Sequence, residues 1–294
     1  MARSFDHIVH AVRDLDAAVE IYRRLGFQVG ARNRHPRSWG TQNHIIQLPA
    51  TYIELLAVTD PSGIVSHEPQ HFSFGAFNRD FLANWQGLSM LVLEGRGAPD
   101  ADEFRQRGIS DYELYEFERE GKRPDGTPIK LAFALAFASD PRAPNVGFFT
   151  SHHQYPEKFW NPAFQVHANT ATEVAGVVLV AKDPNSHANF LRSFAGADAS
   201  RAIPDGLVIR TPRGDIEVVT PVAFVQRFGV PAPEVSHGAR LAALRFAVGD
   251  ASRMEAVPEE AGIAGLYAGN ATVIGPEDAM GAVLVFEQAA KKAR

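Results

Sequence analysis

Between Ile8 and Val12 the chain carries a short, largely β-branched apolar run, after which the rhythm of apolar and polar positions changes. Asp14 stands where a helix cap belongs, and Leu15, Ala18, Val19, Tyr22 and Leu25 recur at helical spacing up to the stop at Gly26. Strand-like runs follow at Phe27 to Ala31, His44 to Leu48 and Tyr52 to Val58. The short turn Pro49-Ala50-Thr51 joins the last two as a hairpin. The pattern predicts a strand, a helix and three further strands.

That order returns. A second unit places a strand at Leu88 to Leu93, a helix at Asp100 to Arg107 stopped by Gly108, and strands near Leu114 to Glu118, Lys130 to Ala138 and Val146 to Thr150. The third begins at Val174 to Ala181, has a helix over about Asn185 to Phe194, and closes with the hairpin GLVIRTPRGDIEVV, turning at Pro212-Arg213-Gly214. The fourth begins at Leu241 to Val248, has a helix near Ala251 to Glu260, and ends in Ala271 to Ile274 and Ala282 to Glu287. Repetition at this period governs the whole fold assignment. Laid on the first unit, VAGVVLVAKDP matches FDHIVHAVRDL and DIEVV matches YIELL, so Glu217 mirrors Glu54 while Gly176 stands where His7 stands. Unit three keeps the scaffold and a carboxylate but not the histidine.

Composition narrows the chemistry. The chain has no cysteine, which excludes disulfides, thiolate metal sites and cysteine nucleophiles, so any metal must be held by His, Asp, Glu or water. A net charge of −5 gives no electrostatic case for nucleic acid or an anionic membrane. No segment reaches the ~18 to 20 uninterrupted apolar residues that span a bilayer, and MARSFDH lacks the apolar core of a signal peptide, so a soluble cytoplasmic protein is expected. No glycine-rich phosphate loop and no Gly-x-Ser-x-Gly is present.

Strand alternation separates the two histidines of FDHIVHAV. His7, Val9 and Ala11 share one face; Ile8, His10 and Val12 share the other, which the following helix must cover. His7 therefore faces away from the helix and His10 lies beneath it. Glu54, between Ile53 and Leu55, is costly to bury unless paired or metal-bound; the plainer alternative is an exposed strand-edge glutamate. In Phe148-Phe149-Thr150-Ser151-His152-His153 only one of the adjacent histidines can share His7's side, or both are simply polar residues where a strand ends. HHQYPEKFWNPAFQVHAN is either a linker packed on the surface or a lid with Tyr155, Phe159 and Trp160 as apolar walls.

Asp6-His7-Ile8-Val9, the capped helix to Gly26-Phe27, RHPRSWGTQN and YIELLAV together resemble the glyoxalase-like domain family of the vicinal-oxygen-chelate superfamily, which includes glyoxalase I and extradiol dioxygenases. The match is tightest over residues 5 to 60 and continues to about residue 180. The resemblance implies an α+β fold. Four βαβββ modules would form two paired-module, cavity-enclosing curved sheets with helices on the outside. Residues 1–160 would be the pair that carries the site, 161–172 a linker and 173–294 a degenerate pair.

The resemblance further implies a divalent metal (Fe2+, Mn2+, Zn2+ or Ni2+) on His7, Glu54 and a histidine of the second module, His152 being favoured and His153 the alternative. Arg34 and Asn43 lie in the family-like segment as substrate contacts, Arg34 either clamping a carboxylate or fixing its loop. Tyr155 and Trp160 are expected against the substrate, and Glu54, His35 or His44 would serve as base. The leading expectation is a lyase or isomerase whose substrate chelates the metal through vicinal oxygens. The alternatives are an extradiol-type dioxygenase and a non-catalytic binding protein that sequesters a small molecule. A homodimer is expected only as a possibility.

Overall fold

The helix over Leu15–Arg24 (α1) starts where its cap dictates: the Asp14 carboxylate accepts from the Ala17 amide at 2.9 Å. This computed structural model describes residues 2–122 and 127–289. The first module runs β1 (Phe5–Ala11), α1, β2 (Asn33–Arg34), β3 (Thr41–Leu48) and β4 (Thr51–Val58), followed by α2 (Phe74–Asn84). The second runs β5 (Gly87–Glu94), α3 (Ala98–Gln106), β6 (Tyr115–Lys122), β7 (Pro128–Ala138) and β8 (Gly147–His153), followed by a short helix, α4 (Pro156–Phe159). The third runs β9 (Ala171–Val180), α5 (Ala188–Ala195), β10 (Arg201–Ile203), β11 (Gly206–Ile209) and β12 (Asp215–Val219), followed by α6 (Pro221–Phe228). The fourth runs β13 (Arg240–Val248), α7 (Ala251–Ala261), β14 (Gly265–Ala268), β15 (Ala271–Ile274) and β16 (Val283–Gln288).

Each pair of modules makes one eight-stranded sheet, ordered β2-β3-β4-β1-β5-β8-β7-β6 and β10-β11-β12-β9-β13-β16-β15-β14. The first strands of paired modules lie side by side and antiparallel, and each runs parallel to its own module's last strand. The expected α+β architecture of four modules in two curved sheets is therefore present. Helices α1, α3, α5 and α7 pack on the convex faces, and those faces meet back to back, β5 against β13, in one continuous core. What lies outside each cup is thus the middle of the molecule.

Several details differ from expectation: β10 and β14, the edges of the second sheet, add a strand each to the runs read in units three and four. Phe27 to Ala31 is not a strand. Phe27 turns into the core beside α1, and Gly30 touches β3 only through its amide on Ile45 O and its carbonyl on His44 Nδ1, leaving the two residues of β2 as the edge. Helices α2 and α6 were not foreseen. Each follows the last strand of an odd module, is capped by Ser73 or Thr220, and lays phenylalanines over a concave face. Among the described residues no helix is long and apolar enough to cross a membrane.

Candidate functional site

Along β1 the alternation holds where it matters. Val9 and Ala11 join the aromatic cluster of the first cup, while Ile8 and Val12 join the shared core. His10 is buried beneath α1, with Nδ1 2.8 Å from the Tyr22 hydroxyl and Nε2 3.2 Å from the Met280 carbonyl of the other half. Burial pushes its pKa down to about 4. His7 occupies the cup, stacked on Tyr52 with ring centroids 4.2 Å apart and edge-on to Phe149.

A register shift between Phe5 and His7 breaks strict alternation, and Asp6 consequently reaches the same side as His7. The Asp6 carboxylate accepts from His7 Nδ1 at 2.5 Å and lies 3.3 Å from His153 Nε2. Burial alone would raise the Asp6 pKa; contacts with His153 and His7 outweigh it and hold the carboxyl well below its ordinary value. With Nδ1–H committed to Asp6, His7 presents the lone pair of Nε2 to the cavity. The Tyr52 hydroxyl lies 3.4 Å from that nitrogen. Burial, reinforced by the charges of Asp6 and Glu54, raises the Tyr52 pKa well above 10.0, so its phenol remains a donor.

Glu54, on β4 opposite Val9, is buried and held by an oriented chain of hydrogen bonds. Arg119 Nη1 donates to Asn33 Oδ1 at 3.2 Å, Asn33 Nδ2 to Asn43 Oδ1 at 3.2 Å, and Asn43 Nδ2 to Glu54 Oε1. His35 flanks this chain, its Nε2 3.1 Å from Asn43 Nδ2 and its Nδ1 2.8 Å from Thr41 Oγ1; burial lowers its pKa to about 4. The other glutamate oxygen, Oε2, lies 3.8 Å from His7 Nε2, beyond hydrogen-bonding distance. Two acceptors thus face one space. That space is a cavity of about 40 Å³ walled by aromatic side chains, among them Trp39, Phe74, Phe117 and Phe149.

Of the expected residues, His7, Glu54, Asn43 and His35 line this cavity. Others do not, each for a local reason. Alternation along β8 sends Phe149, Ser151 and His153 to the cup, so the favoured His152 lies on the far side, with Nδ1 3.1 Å from Gly95 O. Alternation along β3 likewise places Asn43 and Ile45 inward and turns His44 outward onto Gly30 O and Arg32. Arg34 is exposed on the edge strand β2, and Tyr155 packs under the Lys158 ammonium, 3.8 Å from its ring centroid. The aromatic segment after β8 is both connection and cover: Phe159 lines the cavity, while Trp160 stacks on His153 with centroids 5.9 Å apart and approaches Tyr52.

The donors assemble only part of a metal site. His7 Nε2, backed by a carboxylate on Nδ1, has the arrangement of a ligating histidine. Glu54 Oε2 is aimed at the same space. His153 gives its Nε2 to Asp6 instead, and the second-module residues paired nearest, Val92 and Phe149, are apolar. Among the described residues no group of three His, Asp or Glu side chains can hold an ion. Two protein donors do not fit the three-ligand set that the resemblance implied.

The second cup shows what happens without the histidine. Glu217 pairs with Val178 as Glu54 pairs with Val9, and Gly176 takes the place of His7. Glu217 is neutralised by Arg227 of α6 and by Arg245 of β13, whose guanidinium also reaches Glu287 at 2.6 Å.

The sequence pattern of the glyoxalase-like domain family matches residues 5–194, more than half of the chain, and the protein belongs to that family. No curated protein sequence matches it. Among solved structures, a hypothetical protein from Staphylococcus aureus superposes with a TM-score of 0.66 at 12% identity, over 97% of this chain and 99% of that one. A mutant 4-hydroxymandelate synthase from Streptomyces coelicolor gives 0.59 at 10% identity, over 99% and 94%. A fusion of a xylose isomerase-like barrel with a 4-hydroxyphenylpyruvate dioxygenase gives 0.50 at 12%, over 90% of this chain and 40% of that one. At such identities the likeness speaks for the fold alone.

Proposed function

We propose that this protein is an isomerase or lyase that moves a proton on a small carbonyl substrate enclosed in the first cup. The reading rests on one observation: His7 Nε2 and Glu54 Oε2, 3.8 Å apart, face the same cavity without bonding each other. Two acceptors so placed can take a proton from one position of a substrate and return it at another. Asp6 holds the tautomer of His7, Asn43 holds Glu54, and the Tyr52 phenol donates to the oxygen on which charge develops. A divalent ion is the family's usual source of that stabilisation; here it would have two protein donors, and no step of the proposal runs through it.

The test is deuterium uptake from solvent, followed by NMR, into a panel of α-hydroxy ketones and α-keto acids. Wild-type protein should exchange at least one of them before and after chelator treatment. His7→Ala and Glu54→Gln should lose about 10²-fold or more, and Asp6→Asn about 10-fold or more through the misplaced imidazole. Exchange unaffected by His7→Ala would refute the reading.

The incomplete donor set also favours a second reading, a protein that binds and sequesters a small molecule in the same cavity. Saturable binding with neither exchange nor turnover would select it. A dioxygenase would need a third protein donor for iron, a position where the paired strands present Val92 and Phe149.

A further inference from the structure

The cation of this site is on an unexpected strand. Strand β6 reads YEFEREGK, and its alternation sends Tyr115 and Phe117 to the aromatic cluster and the glutamates outward to solvent. Arg119 follows the inward set. It lines the inner cavity and also an outer groove of about 350 Å³, and the two spaces meet at Ile45, Arg119 and Phe159. Arg119 is thus at the threshold between groove and floor.

Its hydrogen bonding is incomplete. Nη1 donates to the neutral Asn33 Oδ1, and among the described residues no carboxylate lies within ion-pair distance of the guanidinium. A guanidinium has five N–H donors in a planar fork that matches two carboxylate oxygens. In the second cup the arginines nearest the matching glutamate are paired: Arg227 and Arg245 are bound to Glu217, and Arg210 to Asp215. Burial lowers the Arg119 pKa, with Tyr52 and Glu54 opposing, so an incoming anion would recover part of a desolvation cost already present.

We infer that the substrate is a flat, apolar carboxylic acid, its carboxylate clamped by Arg119 at the threshold and its apolar body inserted between Trp39, Phe74, Phe117 and Phe149, toward His7 and Glu54. The polarity follows from the charges: Asp6 and Glu54 repel a carboxylate from the floor, and Arg119 attracts it at the entrance. This inference rests on the cavity being the substrate site, and it deepens that reading by assigning the substrate's charged end.

Phenylacetate and its neutral analogue phenylacetamide test it, titrated by NMR against the full-length protein. Wild type should prefer the carboxylate by about ten-fold or more, as a charge-assisted bidentate pair implies. Arg119→Gln should bring the two affinities together by weakening phenylacetate alone, the unchanged amide serving as the check on folding. Arg119→Lys, which keeps the charge but not the fork, should retain part of the preference. An undiminished preference in Arg119→Gln overturns the clamp. So does equal binding of both ligands by the wild type, and in either case the cavity remains a ligand site. If neither ligand binds the wild type, the clamp and the cavity's assignment fall together.

Discussion

On β1 the histidines at positions 7 and 10 end in opposite layers, one against a carboxylate in the cup and one between Tyr22 and a carbonyl of the other half. The second makes the fold sensitive to acid. His10 has an ordinary pKa of 6.5 and a folded value of about 4, so above pH 6.5 both folded and unfolded chains hold it neutral. As pH falls from 6.5 toward 4 the unfolded chain takes up a proton that the folded chain refuses, and stability is lost across that window, roughly 3 kcal/mol from His10 alone. His35 titrates in the same direction, also to about 4. Urea midpoints should therefore drop between pH 7 and pH 4, and His10→Gln should flatten the profile even where it lowers the midpoint at neutral pH. The split between His7 and His10 was legible from alternation. Asp6 was not, because a bulge moved it to the cup, and His152 was favoured over His153 because the phase of β8 cannot be read from two adjacent histidines.

At the scale of elements, the module order was legible because each module repeats the change from strand to helical periodicity. The elements that shape the cup were less so. Helix α2 begins FGAF, with no apolar stripe that sets it apart from a loop, and β6 is so rich in charge that it resembles a solvated edge. Only alternation across Tyr115, Phe117 and Arg119 marks its inner face. The turns where the halves touch carry a similar hidden requirement. Gly281 has φ +87°, and a Cβ there would fall 2.0 Å from the Gln86 carbonyl oxygen; Gly87, at φ +134°, would press its own Cβ to 2.7 Å from the Gly281 oxygen. Gly281→Ala combines backbone strain with that clash and should cost about 2 to 4 kcal/mol, read as a lowered denaturation midpoint with an unchanged m-value.

At the scale of the whole molecule, the halves are welded. Arg3 bonds Asp100 and the Phe194 carbonyl, His187 Nδ1 lies 2.6 Å from Asp140, the Phe5 amide bonds Arg213 O, and the convex faces share one core. The change of sheet falls between His153 and Ala171. A fragment of residues 1–160 would leave Phe104 and Phe148 without Phe190 and Phe194 against them. Such a fragment should bind a hydrophobic dye and melt without a cooperative transition, where the full chain melts sharply. The second cup then acquires a meaning of its own. Arg245 occupies the register position that Val92 holds in the first sheet, and its guanidinium lies between Glu217 and Glu287. It is a counter-ion on a leash, delivered with the polypeptide and impossible to wash out. A cup that carries its positive charge covalently needs no separate cation to balance Glu217.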